Sequence, residues 1–306
     1  MGGVVILGVF VADTAYRAAR QPKMGETIMG ESFVLGPGGK GSNQAVACGR
    51  LGAETAIITK LGQDDFAGMA LKTWAEAGVT PAVTRAADSY TGAAYIFIDD
   101  ATGDNAIIIA PGAAARIAPA DIEAEAARIA AASVFVTQLE QPIDAANRAL
   151  EVARAAGVTT VLNPAPAATL PEGMLGLCDY VTPNETEAEA LTGIAVETED
   201  EARAAAARLI EMGAGAAVIT LGARGALFHA PDRSELVPAF HAGPLVETTG
   251  AGDAFNGGFA VALARGEDAA AATRYGCAVA GISVTRPGTA PSMPTAAEVA
   301  ALMARG

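Results

Sequence analysis

The amino-acid sequence predicts an α/β fold of three layers, in which helices cover both faces of a central, mostly parallel sheet. Short runs of Val, Ile and Leu alternate with alanine-rich amphipathic stretches along most of the 306 residues, as expected for a sheet covered by helices. The runs are continuously apolar, which is typical of parallel strands buried on both faces. The chain is 51% hydrophobic and 18% charged, so it can bury a large core, and we expect one domain over residues 1–306.

Six apolar runs are predicted to be the central strands, and eight amphipathic or apolar stretches are predicted to be helices. The strands are Val4–Val9, Thr55–Thr59, Val134–Thr137, Thr159–Leu162, Tyr180–Thr182 and Ala217–Thr220. The helices are Gly41–Leu51, Asp65–Ala77, Pro119–Ala130, Ile143–Ala156, Asp200–Met212, Gly252–Ala264, Asp268–Ser283 and Thr295–Met303.

Two further segments with strand composition, Glu26–Leu35 and Ala93–Ile109, have no crossover helix after them. The turn sequence Asp99–Asp104 separates two strands within the second segment. We therefore expect a small antiparallel flap, or lid, formed by about residues 24–35 and 93–110 beside the main sheet. Such a flap must be covered by a ligand or by the flap of a second subunit, which predicts a homodimer through the lid.

The charge and the cysteine content exclude several classes of protein. Twenty Lys and Arg residues against 34 Asp and Glu residues give a net charge of −14, which disfavours binding to nucleic acid. Cys48, Cys178 and Cys277 occur without a CxxC motif or a Cys/His cluster, so we expect a reduced, cytoplasmic protein without zinc. No basic segment precedes the first apolar run, and the longest uncharged stretch, Ala155–Pro171, contains three prolines. We therefore expect neither a signal peptide nor a membrane helix.

The first glycine motif, Gly36–Asn43, has the sequence GPGGKGSN and lies between an apolar run and a helix. Its glycine spacing matches the dinucleotide pattern GxGxxG, but the acidic residue expected about 20 residues later is missing. It also departs from a P-loop, because its lysine is followed by glycine rather than by Ser or Thr. The motif therefore indicates a loop that a ligand approaches closely. Lys40 and Asn43 would present donors to a polyhydroxylated molecule, the alternative being a turn that only caps the helix.

The second glycine motif, Thr248–Gly258, precedes an apolar helical stretch. Gly250, Ala251 and Gly252 leave their amides unshielded at a helix N-terminus, which favours binding of an anion. Asp253 lies in the first turn and has two interpretations. It is either an ordinary capping carboxylate or a base that takes the proton of an attacking hydroxyl during phosphoryl transfer.

Five segments in order resemble those of the ribokinase family within the phosphofructokinase-B (pfkB) sugar kinase superfamily, and the resemblance covers essentially the whole chain. The segments are Gly38–Ala45, Asn163–Ala167, Thr182–Glu187, Thr220–Gly225 and Gly250–Gly257. The resemblance implies a ribokinase-like α/β/α fold with a β-lid and ATP-dependent phosphorylation of the primary hydroxyl of a pentose, D-ribose before others. The alternatives are a kinase for another sugar such as 2-deoxyribose, a kinase for a nucleoside, and a non-catalytic sugar- or nucleotide-binding regulator. A redox enzyme that uses the first glycine motif is the weakest candidate.

The resemblance also implies roles for individual residues. Asp253 would be the general base, and the amides of Gly250, Ala251 and Gly252 would form the anion hole. The implied sugar-binding residues are Asp13, Gly39, Lys40, Asn43, Glu140 and Asp253. The implied ATP-binding residues are Asn184, Thr220, Gly222, Gly225, Gly252 and Cys277.

Two metal sites are implied in the same way. Asn184 and Glu187 resemble an NxxE motif that positions Mg²⁺ largely through water, although the same spacing forms a helix capping box. A site for a monovalent cation, K⁺, is implied at Glu247, Thr249, Ser283, Arg286, Gly288 and Ser292.

The sequence departs from the family pattern at three positions. Glu247 stands where ribokinases usually carry Asp, which bears on activation by K⁺. Cys277 stands where relatives often carry Asn or His beside adenine, and its alternative role is that of a small core residue. Val11 replaces an Asn that helps to hold the sugar, which fits a substrate that lacks a hydroxyl or binds in another pose.

Overall fold

The computed structural model describes residues 3–305, so Met1 and Gly2 of the N-terminal segment and Gly306 lie outside the described residues. The strands are β1 (Val4–Leu7), β2 (Val11–Ala18), β3 (Ser32–Gly38), β4 (Thr55–Leu61), β5 (Val79–Arg85), β6 (Thr91–Asp99), β7 (Asn105–Gly112), β8 (Val134–Thr137), β9 (Thr159–Leu162), β10 (Tyr180–Val181), β11 (Ala216–Thr220), β12 (Ala226–Ala230) and β13 (Arg233–Val237). The helices are α1 (Lys40–Arg50), α2 (Asp65–Glu76), α3 (Pro119–Ala124), α4 (Ala126–Ala130), α5 (Ile143–Ala155), α6 (Glu185–Thr192), α7 (Glu199–Glu211), α8 (Ala251–Ala264), α9 (Ala269–Ser283) and α10 (Ala296–Met303).

The main sheet has nine strands in the order β13-β12-β11-β10-β9-β8-β1-β4-β5. Every neighbouring pair from β11 to β5 is parallel, and β12 and β13 form an antiparallel hairpin at the β11 edge. Side chains alternate between the two faces. Val4 and Ile6 join a core with α1, α2, α8 and α9, whereas Val5 and Leu7 join a core with α5 and α7. This arrangement confirms the predicted three-layer α/β fold class.

A second, smaller sheet, which we call the flap sheet, has the strand order β3-β2-β6-β7. The expectation of a purely antiparallel flap is wrong. Strand β2, which precedes both predicted segments in the sequence, lies between them in the sheet and pairs parallel with β6. The chain enters this sheet only three residues after β1. The first predicted segment also begins too early, since β3 starts at Ser32.

The structure contains elements that the apolar pattern did not predict. Strand β5 contains Pro81 and lies at a sheet edge, where a missing N–H is tolerated. The β12–β13 hairpin and α6 were also not expected. Strand β13 begins with three exposed polar residues and α6 carries three glutamates, whereas β12 is a short, mostly buried strand. The predicted helix Pro119–Ala130 is interrupted at Glu125, whose backbone leaves the helical conformation between α3 and α4.

No helix within residues 3–305 is long and apolar enough to cross a bilayer. The three cysteines are free and buried. Burial raises the pKa of each thiol to about 12, so none of them is a reactive thiolate at neutral pH.

Candidate active site

Four carboxylates and one lysine from separate elements form a charged group that we call the carboxylate cluster. Asp13 is on β2 rather than in a loop after the first strand, Lys40 begins α1, and Glu140 follows β8. Glu187 and Asp253 lie in the first turns of α6 and α8. The charge of Asp253 affects the pKa of each of the other four residues, so the five act on one another electrostatically.

Asp253 is 6% exposed and is held through both carboxylate oxygens. Asn43 donates Nδ2–H to Oδ2 at 2.9 Å, and Gln44 donates Nε2–H to Oδ1 at 3.1 Å. Burial raises the pKa of Asp253, and the charge of Lys40 and these two amides oppose that shift. Within the described chain its side chain bonds to α1 and not to the amides of its own helix, which argues against a simple capping role.

Two glycines of the first motif bring the sugar-site candidates together. A Cβ at Gly38 would lie 2.1 Å from Oδ2 of Asp13, so the absent side chain leaves room for that carboxylate. Gly39 has a φ of 89°, and a Cβ there would lie 2.5 Å from the carbonyl oxygen of Val9. The resulting turn starts α1 at Lys40, whose backbone N–H donates to Oε2 of Glu140 at 2.8 Å.

Negative charge exceeds positive charge in the carboxylate cluster. Burial, with repulsion from Asp253, raises the pKa of Asp13 to about 6. Burial raises the pKa of Glu140 to about 7, although Lys40 lowers it. Burial alone lowers the pKa of Lys40, but attraction by three carboxylates outweighs burial and the net shift is upward. Two carboxyl groups therefore titrate near neutral pH.

Asn184 and Glu187 form the reciprocal hydrogen bonds of a capping box at the start of α6. Asn184 Oδ1 accepts from the Glu187 N–H at 2.8 Å, and Glu187 Oε2 accepts from the Asn184 N–H at 2.9 Å. Burial raises the pKa of Glu187, while Asn184 and Lys40 lower it. Capping uses only one carboxylate oxygen of Glu187. Within residues 3–305, no three His, Cys, Asp or Glu side chains are arranged so that they could hold a metal ion by themselves. The residues present therefore fit a Mg²⁺ ion that arrives with phosphates and keeps most of its water.

The three residues predicted for the nucleotide loop lie together at the end of β11. The backbone of Thr220 bridges to Asn184, and its N–H donates to the Pro183 carbonyl at 2.9 Å, which joins this loop to the start of α6. Gly222 begins a short 3₁₀ turn, and Gly225 ends it beside β13. The structure thus places these residues next to the predicted magnesium motif.

The second glycine motif forms the N-terminus of α8. Gly250 is the N-cap residue with a φ of 82°, and it provides no side-chain cap. The Ala251 N–H donates to the Thr248 carbonyl at 3.1 Å, so this amide is already used within the loop. Gly252 faces open space where a Cβ would otherwise stand, which leaves room for a ligand against the backbone.

The six residues predicted to hold a monovalent cation lie in two segments that the structure brings together. They are Glu247, Thr249, Ser283, Arg286, Gly288 and Ser292. Glu247 Oε2 accepts from the Gly288 N–H at 2.8 Å, and this bond ties the loop before α8 to the loop after α9. Arg286 pairs with Glu298, and Ser292 donates to the Thr289 carbonyl at 2.7 Å. Cation binding here stays a prediction.

Cys277 lies on α9, the helix that packs against α8. It is 5% exposed on α9 and belongs to the hydrophobic core that contains Phe255 and Val279. These surroundings are those of a small core residue, and its role beside the nucleotide stays a prediction.

Three buried amides that contact the site were not predicted. Gln44 and Gln138 are fully buried, and Asn163 is 6% exposed. Gln44 bonds to Asp253, Asn163 and Gln138. Glutamine and asparagine carry no distinctive sequence signal, and the only sign was that Gln44 and Asn163 fall inside two of the five family-like segments.

Residues 2–296 match the sequence model of the pfkB family of carbohydrate kinases. A Haemophilus influenzae ribokinase is 38% identical over 296 residues, 96% of each chain, and a Salmonella typhi deoxyribokinase is 37% identical over 294 residues, 95% of each chain. The structure of Arabidopsis thaliana ribokinase complexed with ribose and ATP has a TM-score of 0.93 at 29% identity, covering 99% of this chain and 98% of that one. These matches confirm the resemblance to the ribokinase family. The chain belongs to the pfkB family and is a carbohydrate kinase.

Proposed function

We propose that this kinase transfers the γ-phosphate of ATP to the primary hydroxyl of D-ribose and forms D-ribose 5-phosphate. The observation that carries the proposal is the buried Asp253 carboxylate, held by Asn43 and Gln44 at the N-terminus of α8. A carboxylate in this position takes the hydroxyl proton as the new O–P bond forms and the bond to ADP breaks. The ribokinase relatives and the structure complexed with ribose and ATP support this pair of substrates.

The carboxylate cluster supplies the sugar site in this proposal. Asp13 and Glu140 accept hydrogen bonds from sugar hydroxyls, and Asn43 and the backbone at Gly39 hold the ring against α1. Lys40 offsets part of the charge of these carboxylates and donates to the sugar. Both acids accept hydrogen bonds best when ionised, so sugar binding weakens as the pH falls through 7 and then 6.

The nucleotide side of the site is proposed to use the loop at Thr220, Gly222 and Gly225, with Gly252 at the helix N-terminus facing the transferred phosphoryl group. Asn184 and Glu187 would hold Mg²⁺ largely through water. When bound with ATP, the ion neutralises charge on the phosphates. K⁺ bound between the loops before α8 and after α9 would order the anion hole, with Glu247 as its carboxylate.

The flap sheet is proposed to act as a lid on a single kinase domain over residues 1–306, and to form the interface of a homodimer. Tyr16, Phe33 and Tyr95 pack side by side on this sheet, and Tyr16 and Phe33 remain about half exposed. Ile108, which pairs with Tyr95, is 68% exposed. This apolar surface fits the flap of a second copy. A cytoplasmic location is also part of the proposal, supported by three free cysteines.

One observation favours 2-deoxyribose as a second candidate substrate. Val11 and Asp13 are two residues apart on β2, so their side chains lie on the same face of the strand. Val11 pairs with Gly38, the residue that borders the Asp13 carboxylate, so an apolar side chain lies beside this sugar-site acid. The deoxyribokinase relative agrees with this alternative.

The proposed function is tested by an assay of the purified protein with ATP and Mg²⁺. The acceptors compared are ribose, 2-deoxyribose, adenosine and inosine. We expect ribose-dependent release of ADP and formation of ribose 5-phosphate, identified by mass spectrometry. Preference for 2-deoxyribose or a nucleoside selects one of the alternative substrates. ADP release that does not depend on any sugar contradicts the proposal, and the same panel with and without K⁺ tests the cation site.

A further inference from the structure

We propose that three buried side-chain amides, those of Gln138, Gln44 and Asn163, act as positioning residues. They hold the Asp253 carboxylate so that its Oδ1 accepts a hydrogen bond from α1. We call these three residues the amide chain. The inference rests on the proposed function, because it assigns the amide chain to the base that function requires. It extends that function to residues that do not contact the reacting atoms.

The amide chain connects three separate parts of the sequence. Gln138 follows β8 and donates Nε2–H to Oε1 of Gln44 at 2.6 Å. Gln44 lies on α1 and donates Nε2–H both to Oδ1 of Asp253 at 3.1 Å and to Oδ1 of Asn163 at 3.2 Å. Asn163 follows β9 and donates Nδ2–H to the backbone carbonyl of Thr182 at 3.0 Å. Each of these hydrogen bonds is buried, so losing one leaves a polar group that water does not reach, which is unfavourable.

The backbone carbonyl of Thr182 determines the direction of every hydrogen bond in the chain. A carbonyl oxygen only accepts, so Asn163 must turn its NH₂ group toward Thr182 and its oxygen toward Gln44. Gln44 must then turn its own NH₂ group toward Asn163, and the same group reaches Asp253. The oxygen of Gln44 consequently faces the NH₂ group of Gln138. In this arrangement the NH₂ group of Gln44 always donates to Oδ1 of Asp253. A proton on Oδ1 would face this donor, so the arrangement disfavours protonation of that oxygen.

The position of Gln138 is fixed by two glycines. A Cβ on Gly8 would lie 2.6 Å from Oε1 of Gln138, and a Cβ on Gly41 would lie 2.8 Å from the same atom. The backbones of these two glycines also approach each other closely, since either Cβ would lie 2.6 Å from the other's Cα. The side chain of Gln138 therefore occupies space that a side chain on Gly8 or Gly41 would fill. Its NH₂ group is directed at Gln44.

The amide chain also extends toward the anion hole. Thr182 donates Oγ1–H to Oδ1 of Asn256 at 2.6 Å, and Asn256 donates Nδ2–H to the carbonyl of Gly252 at 2.9 Å. That carbonyl belongs to the peptide unit that joins Gly252 to Asp253. One network, buried except at its last bond to the Gly252 carbonyl, therefore links the carboxylate to the first turn of α8, and both must be placed together for phosphoryl transfer.

Asp253 needs such support because charges on several elements act on it. Burial raises the pKa of Asp253, and the negative charge of Asp253 in turn raises the pKa of Asp13 on β2, Glu140 after β8 and Glu187 on α6. Lys40 and the amides of Asn43 and Gln44 favour the ionised form. Loss of the Gln44 donor removes one of three favourable contacts and moves the pKa of Asp253 upward.

The test compares Gln44→Met and Gln138→Met with the unsubstituted protein by measuring kcat and the sugar KM from pH 5 to pH 9. The kcat profile is taken at saturating sugar and ATP, so that it reports groups in the ternary complex rather than Asp13 and Glu140 of the free enzyme. For Gln44→Met we expect the acid limb to move up by about one pH unit, which lowers kcat along that limb by up to about tenfold. The sugar KM should change less than about threefold, and kcat should recover as the pH rises.

Gln138→Met should shift the acid limb in the same direction by a smaller amount, because Gln138 acts only through Gln44. It keeps the inference testable if Gln44→Met does not fold. Ser42→Ala is the matched control: Ser42 is also buried on α1, but it accepts from Trp74 Nε1 at 2.9 Å, away from Asp253. Its acid limb should not move.

Unchanged acid limbs in the folded variants overturn the inference, as does an equal shift in Ser42→Ala. Asp253→Asn and the unsubstituted protein, assayed in parallel with ribose, separate the possible failures. If Asp253→Asn is inactive while the Gln44→Met profile is unchanged, the base stands and the amide chain does not. If Asp253→Asn is fully active, Asp253 is not the base and the inference fails with it. If the unsubstituted protein shows no ribose-dependent release of ADP, the proposed function itself fails.

Discussion

At the scale of residues, the carboxylate cluster trades stability for binding. Asp13, Glu140, Glu187 and Asp253 surround one cation, Lys40, and the pKa of each carboxyl is raised. A raised pKa in the folded state means that ionisation opposes folding. In the proposed function this cost is offset, because Asp13 and Glu140 are the acceptors for the sugar hydroxyls, Glu187 would hold Mg²⁺ and Asp253 is the base.

This argument predicts that Glu140→Gln stabilises the fold at high pH. The pKa of Glu140 rises from 4.5 to about 7 on folding, so its contribution to stability is complete below pH 4.5 and is lost as the pH rises through 7. The variant should gain about 1–2 kcal/mol in free energy of unfolding at pH 8 and little at pH 4.5, as measured by urea denaturation. The exposed Glu172→Gln is the control, and an equal gain at both pH values would refute the electrostatic explanation.

At the scale of elements, the site depends on where strands and helices begin. Strand β2 leaves β1 after three residues and carries Asp13, while Gly39 starts α1 at Lys40. The flap sheet formed by β2, β3, β6 and β7 then presents Phe33, Tyr16 and Ile108 on an exposed apolar surface. An exposed surface of this kind is stabilised when a second copy covers it.

The flap sheet therefore predicts an effect on self-association. Ile108→Asp places a charge at the centre of the proposed interface, so the variant should sediment as a monomer where the unsubstituted protein sediments as a dimer. Thr102→Asp, in the exposed turn between β6 and β7, is the control and should remain dimeric. Analytical ultracentrifugation distinguishes the two results. A dimer that persists in Ile108→Asp would exclude this face as the interface.

At the scale of the whole molecule, the sequence predicts the sheet better than it predicts the site. Val4–Leu7 and Val134–Thr137 are uninterrupted apolar runs, and burial on both faces makes such strands recognisable. Strand β2 was missed because it is neither a continuous apolar run nor a regular alternation of polar and apolar residues, and five of its eight residues are not fully buried. Gln44 was missed as well, because its role depends on Asp253, which is 209 residues away in the sequence.

The whole-molecule account depends on a single chemical claim, that Asp253 is the base for transfer of phosphate from ATP to the sugar. The most direct measurement is the turnover of Asp253→Asn with ribose, ATP and Mg²⁺, with ATP affinity followed by calorimetry. We predict that kcat falls by about 10²–10⁴-fold, while the melting temperature and ATP affinity stay close to those of the unsubstituted protein. A kcat within threefold of the unsubstituted value would contradict the account.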